Sequence, residues 1–276
     1  MSDFVHHRGG SGAPLVLLHG FTDTWRTWKP VLPALEREHE VIVPALPGHV
    51  DGFQFEPGTP FTLESTLDQL ERQFDAAGLD RAHLVGNSLG GWAALLLAAR
   101  GRATSVVGLS PAGGWEHGSK IGKKILRYFA RNYRLLRIGG PRADLIASRP
   151  RLRAFALRDV SARPAAIPAE DAAQLIRGAY ECPIYKEALR YSRDQGLGDL
   201  PNPIDPDVPV RIAVGTRDRI IRWPRYYERL RTIVPNAEWV ELEGLGHLPM
   251  WDDADLTART ILEFTTAHEP AVSAAS

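Results

Sequence analysis

Short apolar runs alternate with helically spaced positions along the first third of the chain. Pro14-Leu15-Val16-Leu17-Leu18-His19 reads as a buried strand, and Glu40-Val41-Ile42-Val43-Pro44 as a second. Between them, Trp28 to Glu38 predicts a helix. Leu63, Leu67, Leu70 and Phe74 recur at helical spacing from Leu63 to Ala77, and Gly78 stops that helix. His83-Leu84-Val85-Gly86 predicts a strand, Leu89 to Arg100 a helix dense in Ala and Leu, and Ser105 to Leu109 the next strand. Such alternation implies parallel βαβ units with right-handed crossovers. Gly9-Gly10-Ser11-Gly12 reads as a hairpin turn between early strands.

The rhythm breaks between about Pro111 and Asp207. Ile121, Ile125, Leu126, Phe129 and Tyr133 keep helical spacing there, but no strand pattern appears. The strand-helix rhythm returns at Val208 to Val214. A helix from Pro224 to Val234 follows, with proline at its start where a missing donor costs nothing. Ala237 to Leu242 then predicts a strand and Ala254 to Thr266 a final helix. The fold class is therefore α/β: a mostly parallel central sheet flanked by helices, with an inserted helical cap. Residues 1–111 form the first part of the core, 112–206 the cap and 207–276 the second part. Pro111-Ala112-Gly113-Gly114 and Pro201-Asn202-Pro203 through Pro206 mark the borders, and the small, polar tail Glu269–Ser276 reads as frayed.

A chain of 276 residues, 44% hydrophobic and 24% charged, suits one such domain. Lys plus Arg equals Asp plus Glu at 33 each, so no overall field points to nucleic acid. The single cysteine, Cys182, excludes a disulfide within the chain and reads as inert cap filling. The start Met1 to His7 has no basic region followed by a long apolar stretch. No apolar run approaches the roughly 20 residues that span a bilayer. The expectation is a cytoplasmic protein without a membrane span. Oligomeric state is not legible. One local imbalance stands out: His117 to Arg163 is rich in Lys and Arg and has only Asp144 and Asp159 as acids. It reads either as a solvated helix face or as a local field for anionic substrates or lipid.

The candidate chemistry starts at Gly86-Asn87-Ser88-Leu89-Gly90, directly after a predicted strand. Glycines two residues before and two after a serine mark a sharp strand-to-helix turn that lifts the hydroxyl out of the sheet. A free hydroxyl is a weak nucleophile, so a base and an orienting acid are needed. Asp218, in Gly215-Thr216-Arg217-Asp218, and His247, in Gly246-His247, each follow a predicted strand. Alone, each reads as an ordinary loop residue. Together they keep the chain order nucleophile, acid, histidine of one serine-hydrolase architecture. In that reading His247 takes the Ser88 proton and Asp218 orients the ring. The N–H groups of Leu89 and Phe21 are the candidate oxyanion donors, the first at a helix start and the second after His19-Gly20. Phe21, Trp25, Trp115, Trp223 and Trp251 stand near predicted loop ends and are candidates for an acyl pocket, whereas Trp92 reads as packing. The chain has no His-Glu-x-x-His spacing and no lysine after the elbow glycines, so no metal or cofactor is expected.

These residues resemble the α/β-hydrolase superfamily. The resemblance is carried by His19-Gly20-Phe21, Pro47-Gly48-His49, Gly86-Asn87-Ser88-Leu89-Gly90-Gly91, Gly215-Thr216-Arg217-Asp218 and Gly246-His247, over residues 3–111 and 207–267. Many relatives continue Gly-x-Gly-x-Ser after Pro-Gly, where this chain has His49-Val50-Asp51-Gly52. Haloalkane dehalogenases and epoxide hydrolases of the superfamily carry aspartate at the elbow, so the resemblance with Ser88 implies acyl chemistry. The elbow, with His247 followed by Trp251, also resembles carbon–carbon hydrolases of ring-cleavage products. The expectation is a cofactor-independent serine hydrolase cleaving a carboxylic ester of a small molecule with an apolar acyl group, through an acyl-enzyme. Carbon–carbon hydrolase, thioesterase or lactonase activity, or a ligand receptor on the same fold, are the alternatives.

Overall fold

The computed structural model describes residues 5–56 and 61–269. Most of the tail expected to fray, residues 270–276, and the first four residues lie outside them. Among the described residues the strands are β1 (Val5–Gly9), β2 (Ala13–Leu18), β3 (His39–Pro44), β4 (Ala82–Asn87), β5 (Ala103–Leu109), β6 (Val210–Gly215) and β7 (Glu238–Leu242). They form one sheet in the order β1-β3-β2-β4-β5-β6-β7. β1 runs antiparallel to β3, and every other pairing is parallel. The Gly9–Gly12 turn is consequently not a hairpin between paired strands. β2 is paired on both sides by β3 and β4, so β1 takes the free edge of β3, with Gly9 opposite Val41.

The helices in chain order are α1 (Leu32–Leu35), α2 (Leu63–Ala76), α3 (Leu89–Ala99), α4 (Lys120–Gly139), α5 (Ala143–Ser148), α6 (Pro150–Leu157), α7 (Ala169–Glu181), α8 (Tyr185–Gln195), α9 (Glu228–Ile233), α10 (Pro249–Asp252) and α11 (Ala254–Ala267). The helix expected from Trp28 to Glu38 is a 3₁₀ turn at Trp25–Trp28 followed by the single turn α1. Pro30 and Pro33 explain the shortening, since neither can donate a helical hydrogen bond. The helix expected from Pro224 likewise begins as a 3₁₀ turn, Arg225–Tyr227, before α9. α2 starts where Thr62 Oγ1 accepts the Ser65 N–H at 2.9 Å, a cap that contributes about 1 kcal/mol.

α3 is buried along nearly its whole length, which explains why its sequence is apolar on every face. It packs on β2, β4 and β5 on one side. On the other, Trp92 donates from Nε1 to the Leu197 oxygen at 2.8 Å, just after α8. The expected packing role of Trp92 is therefore seen. Five helices, α4 to α8, stand between β5 and β6 as an inserted helical cap, and among the described residues no strand interrupts them. α5, α6 and α7 pack on one another, and α4 lies against α7 and α8. Cys182 is buried at the end of α7, where burial pushes its thiol up to about 12.

Candidate active site

The junction of β4 and α3 carries a strained backbone. Ser88 has φ +54° and ψ −115°, in the positive-φ range that non-glycine residues rarely adopt. Such a conformation costs about 1–3 kcal/mol and persists only where surroundings hold it. Here the Ser88 N–H donates to the Leu109 oxygen at 3.0 Å, and its own oxygen accepts from Trp92 at 3.1 Å and Ala112 at 2.8 Å. The flanking glycines answer to space rather than handedness. A Cβ on Gly86 would sit 2.2 Å from the Gly90 oxygen, and one on Gly90 would sit 2.1 Å from the Leu18 oxygen. Only hydrogen fits where strand and helix backbones approach that closely.

Two loops bring ionisable side chains to the same end of the sheet. After β6, Asp218 is buried, and its Oδ1 accepts the N–H groups of Ile220 at 2.7 Å and Ile221 at 2.9 Å. Its Oδ2 lies 2.7 Å from His247 Nδ1, in the loop after β7. That hydrogen bond makes Nδ1 the donor and leaves Nε2 as the nitrogen with a lone pair. Asn87 ties the two parts together, since its Nδ2 donates to the Leu109 oxygen at 3.0 Å and to the His247 oxygen at 2.9 Å. Ser88 and His247 line one cavity of about 340 Å³, together with Gly20, Phe21, Asp23, Asn87 and residues of α4, α6 and α7. Ser88, Leu89, Phe21 and Trp115 also line a smaller apolar cavity of about 70 Å³ beneath α4 and α8.

The loop after β2 is pressed against the elbow. A Cβ on Gly20 would meet Ser88 Cβ and Asn87 Oδ1 at 3.3 Å. His19 braces this loop: Nδ1–H donates to the Gly20 oxygen at 2.9 Å, and Nε2 accepts the Leu46 N–H at 2.9 Å. This pattern requires a neutral ring, and burial together with nearby His49 holds its pKa well below the usual value. Phe21 stands edge-on to Phe129 at 5.2 Å and Tyr185 at 5.1 Å, linking the loop to α4 and α8. Asp23 Oδ1 accepts the Thr24 N–H at 2.8 Å, while its Oδ2 is fully covered and has no hydrogen-bond partner. Burial raises this carboxyl to about 6, against the lowering effects of Thr24, Thr27 and His247.

Of the aromatic residues expected at a pocket, Phe21 and Trp115 line the cavities. Three tryptophans stand elsewhere, which corrects that expectation. Trp25 stacks with His6 and His7 beside β1. Trp223, on the amino side of a cis bond to Pro224, stacks on Trp239 at 5.4 Å. Trp251 Nε1 donates to Thr27 Oγ1 at 3.3 Å and packs into the core. The cavity walls are instead built by Tyr128, Phe129, Leu135 and Leu136 of α4, with Ile220. Their apolar stripe in the cap sequence was the available signal.

One residue essential to this arrangement escaped sequence reasoning. Asp252, at the end of α10, accepts the Gly246 N–H at 2.6 Å on Oδ2. Its Oδ1 accepts Ser161 Oγ–H at 2.6 Å and the N–H groups of Ala162 and Arg163 at 3.0 Å. Asp252 therefore pins the residue before His247 to the segment between α6 and α7. The Leu248 N–H, donating to the Val160 oxygen at 2.8 Å, adds a second tie.

The model of the Alpha/beta hydrolase family matches residues 15–260, spanning the elbow, both loops and the cap. The chain belongs to this family. It is 31% identical over 209 residues to epoxide hydrolase EphH of Mycobacterium tuberculosis (strain ATCC 25618 / H37Rv), covering 75% of this chain and 96% of that one. It is 35% identical over 143 residues to 2-hydroxy-6-oxo-2,4-heptadienoate hydrolase of Pseudomonas putida F1, covering 45% of this chain and 51% of that protein. Among solved structures, a thermophilic esterase from Thermogutta terrifontis superposes with a TM-score of 0.68 at 24% identity, covering 96% and 93% of the two chains. The last likeness speaks to the fold alone. The chain is thus an α/β-hydrolase-type enzyme, with a serine at the elbow position.

Proposed function

We propose that this α/β-hydrolase cleaves carboxylic esters through an acyl-enzyme, with Ser88 as nucleophile, His247 as base and Asp218 as its orienting acid. The observation that supports this most is the strained serine sharing a cavity with an imidazole whose Nδ1 is committed to a buried carboxylate. Nε2 then accepts the Ser88 proton as Oγ attacks the ester carbon. The carbonyl electron pair moves to oxygen, where the Phe21 and Leu89 N–H groups are the proposed donors. The alcohol leaves with the proton from Nε2, and water repeats the sequence to free the acid and Ser88. Asp218 cannot turn away during this cycle, because Ile220 and Ile221 hold its other oxygen. Asp23, charged above about pH 6, adds to the field that favours the imidazolium. Residues 112–206 are proposed as the cap that shapes the acyl site.

A relative bearing the name epoxide hydrolase raises another chemistry, but serine suits it poorly. A serine oxygen attacking an epoxide carbon forms an ether, which has no carbonyl for water to attack. An ester or thioester gives an acyl-serine that water can release. The second reading, carbon–carbon cleavage of a vinylogous diketone, is favoured by the Pseudomonas putida relative. A receptor without turnover gains nothing from a serine held at a cost of about 1–3 kcal/mol.

A fluorophosphonate probe and p-nitrophenyl esters from acetate to long acyl chains test the proposal. Stoichiometric labelling at Ser88 with ester turnover is expected. Ser88→Ala and His247→Ala are expected to lose on the order of 10⁶ in kcat, and Asp218→Asn about 10⁴. Failure to label, or turnover of a dienoate diketone with none of any ester, would overturn it.

A further inference from the structure

The exposed apolar side chains are concentrated in one place. Among the described residues, the large hydrophobic side chains standing clear of the surface are Leu135 (52% exposed), Ile138 (68%), Leu145 (47%), Leu152 (42%) and Phe155 (65%), all on α4, α5 and α6. Four of them, Leu135, Ile138, Leu152 and Phe155, are also walls of the cavity that reaches Ser88 and His247. The outer apolar face of the cap and the inner acyl wall are therefore one continuous surface, open at its mouth. Water-facing apolar groups in this density mark a contact site.

The charge around the mouth is equally one-sided. From Lys120 to Arg163 the chain carries thirteen Lys and Arg against two acids, Asp144 and Asp159, although the whole chain balances at 33 and 33. The remainder is therefore net acidic, and the molecule is polarised with its positive end at the cap. Asp144 is already engaged by Arg177 at 2.8 Å, and Asp159, at the cavity wall, lies 3.9 Å from both Arg131 and Arg158. Arg127, Arg131, Arg134 and Ile138 follow one another at spacings of four, three and four along α4, so they share a face. Among the described residues Arg127 and Arg134 make no ion pair. Arg158 lays its guanidinium 4.0 Å over the Phe155 ring at the mouth itself. Apolar tips ringed by long basic side chains match a surface of acyl chains beneath anionic headgroups.

We propose that the face built by α4, α5 and α6 docks on an anionic lipid bilayer, with the mouth of the Ser88 cavity turned toward it. Among the described residues no helix is long and apolar enough to cross a membrane, so the contact is peripheral. Apolar substrate then passes from the bilayer into the cavity without crossing water. A second copy of the chain is a poorer occupant, because a two-fold contact through this face would set one basic cluster against its twin. The docking does not depend on the reaction at Ser88.

Co-sedimentation of the full chain carrying Ser88→Ala tests the proposal, because binding is read without turnover. The probes are vesicles of mixed phosphatidylglycerol and phosphatidylcholine, and of phosphatidylcholine alone. Binding to the anionic vesicles is expected, falling as salt is raised, with at least a roughly tenfold weaker partition onto phosphatidylcholine. Adding Arg127→Glu and Arg134→Glu is expected to weaken binding roughly tenfold or more, and Ile138→Ser with Phe155→Ser by a similar factor. Arg37→Glu, at an exposed position just after α1 and outside the cap, controls for net charge and is expected to change binding less than about threefold. Absence of vesicle binding, equal binding to both vesicle types, or unchanged binding in both paired variants would overturn the proposal. So would self-association in sedimentation velocity that the paired variants abolish, since the face would then belong to a second copy.

Discussion

The side-chain amide of Asn87 donates to the main-chain oxygen of His247 across 2.9 Å, so the residue before the elbow serine holds the loop that carries the histidine. The same amide also donates to Leu109 on the neighbouring strand. Removing it frees the loop, while the strand end keeps its backbone pairing. Asn87→Ala is expected to lower kcat roughly ten- to hundredfold with KM nearly unchanged, because the imidazole drifts while the cavity walls stay. The Leu109 oxygen keeps the Ser88 N–H at 3.0 Å, but the buried His247 carbonyl is left unpaired at a cost of about 1–3 kcal/mol, so urea unfolding should show a parallel loss of stability. An unchanged kcat with a large change in KM would mean that Asn87 serves the pocket rather than His247.

The backbone strain at Ser88 predicts a gain in stability when function is removed. Glycine adopts φ near +54° without the Cβ penalty that serine meets there. Ser88→Gly is expected to be inactive toward p-nitrophenyl esters and more resistant to urea, by roughly 1 kcal/mol after the entropy glycine adds to the unfolded chain. A loss of stability in this variant would show that the hydroxyl, not the backbone, decides the balance.

Asp252 predicts coupling between the cap and the histidine loop. Its carboxylate gathers Gly246, Ser161, Ala162 and Arg163 into one knot. Asp252→Ala leaves those donors unpaired, and a loss of roughly 3 kcal/mol is expected. Asp252→Asn keeps the shape but turns two donors of its own toward other donors, so an intermediate loss is expected. Both should lower kcat more than the stability loss alone explains, measured well below the melting temperature. Wild-type kcat in Asp252→Ala would remove the loop-positioning role.

Acid sensitivity follows from buried imidazoles, His49 and His83 alongside His19. Burial holds His49 and His83 to about 4, with His39 and His268 adding to the effect at His83. In the unfolded chain the same rings titrate near 6.5, so between these values the unfolded state binds more protons. Their contribution to stability is full above about pH 6.5 and is lost as pH falls toward 4, by up to about 3 kcal/mol for each ring. Urea midpoints should drop between about pH 7 and about pH 5 accordingly. His83→Gln keeps a partner for Ser105 Oγ, which lies 2.7 Å from His83 Nδ1, and should flatten that drop. A midpoint as steep in the variant as in the parent would exclude His83 as a source.

The buried parallel strands were legible because each reads as a nearly unbroken apolar run, as Leu15 to Leu18 and Ser105 to Leu109 do. The elbow was legible because close backbone contact leaves no choice but glycine at positions 86 and 90. What escaped was set by distant partners. β1 chose the free edge of β3 over its neighbour in sequence, a choice that depends on which edges β2 leaves open. Asp252 looks like any acid before a helix start. Its significance comes from main-chain donors about ninety residues away, which leave no mark in local pattern. Trp223 and Trp251 lie beside predicted loops as expected, but their rings turn inward to other partners, and side-chain direction is not written in spacing.

β5 and β6 are hydrogen-bonded neighbours, with Val106 opposite Val210, although five helices intervene between them in the chain. The insertion leaves and rejoins the sheet through two adjacent seams. A recombination event cutting at those seams would exchange the roof in a single step while Ser88, Asp218 and His247 stayed rooted in the sheet, but it would also carry off Ser161, Ala162 and Arg163, the partners through which Asp252 steadies the histidine loop. A cap grafted from another member of the family would therefore reshape the cavity walls cleanly only where it brings equivalent donors for that carboxylate.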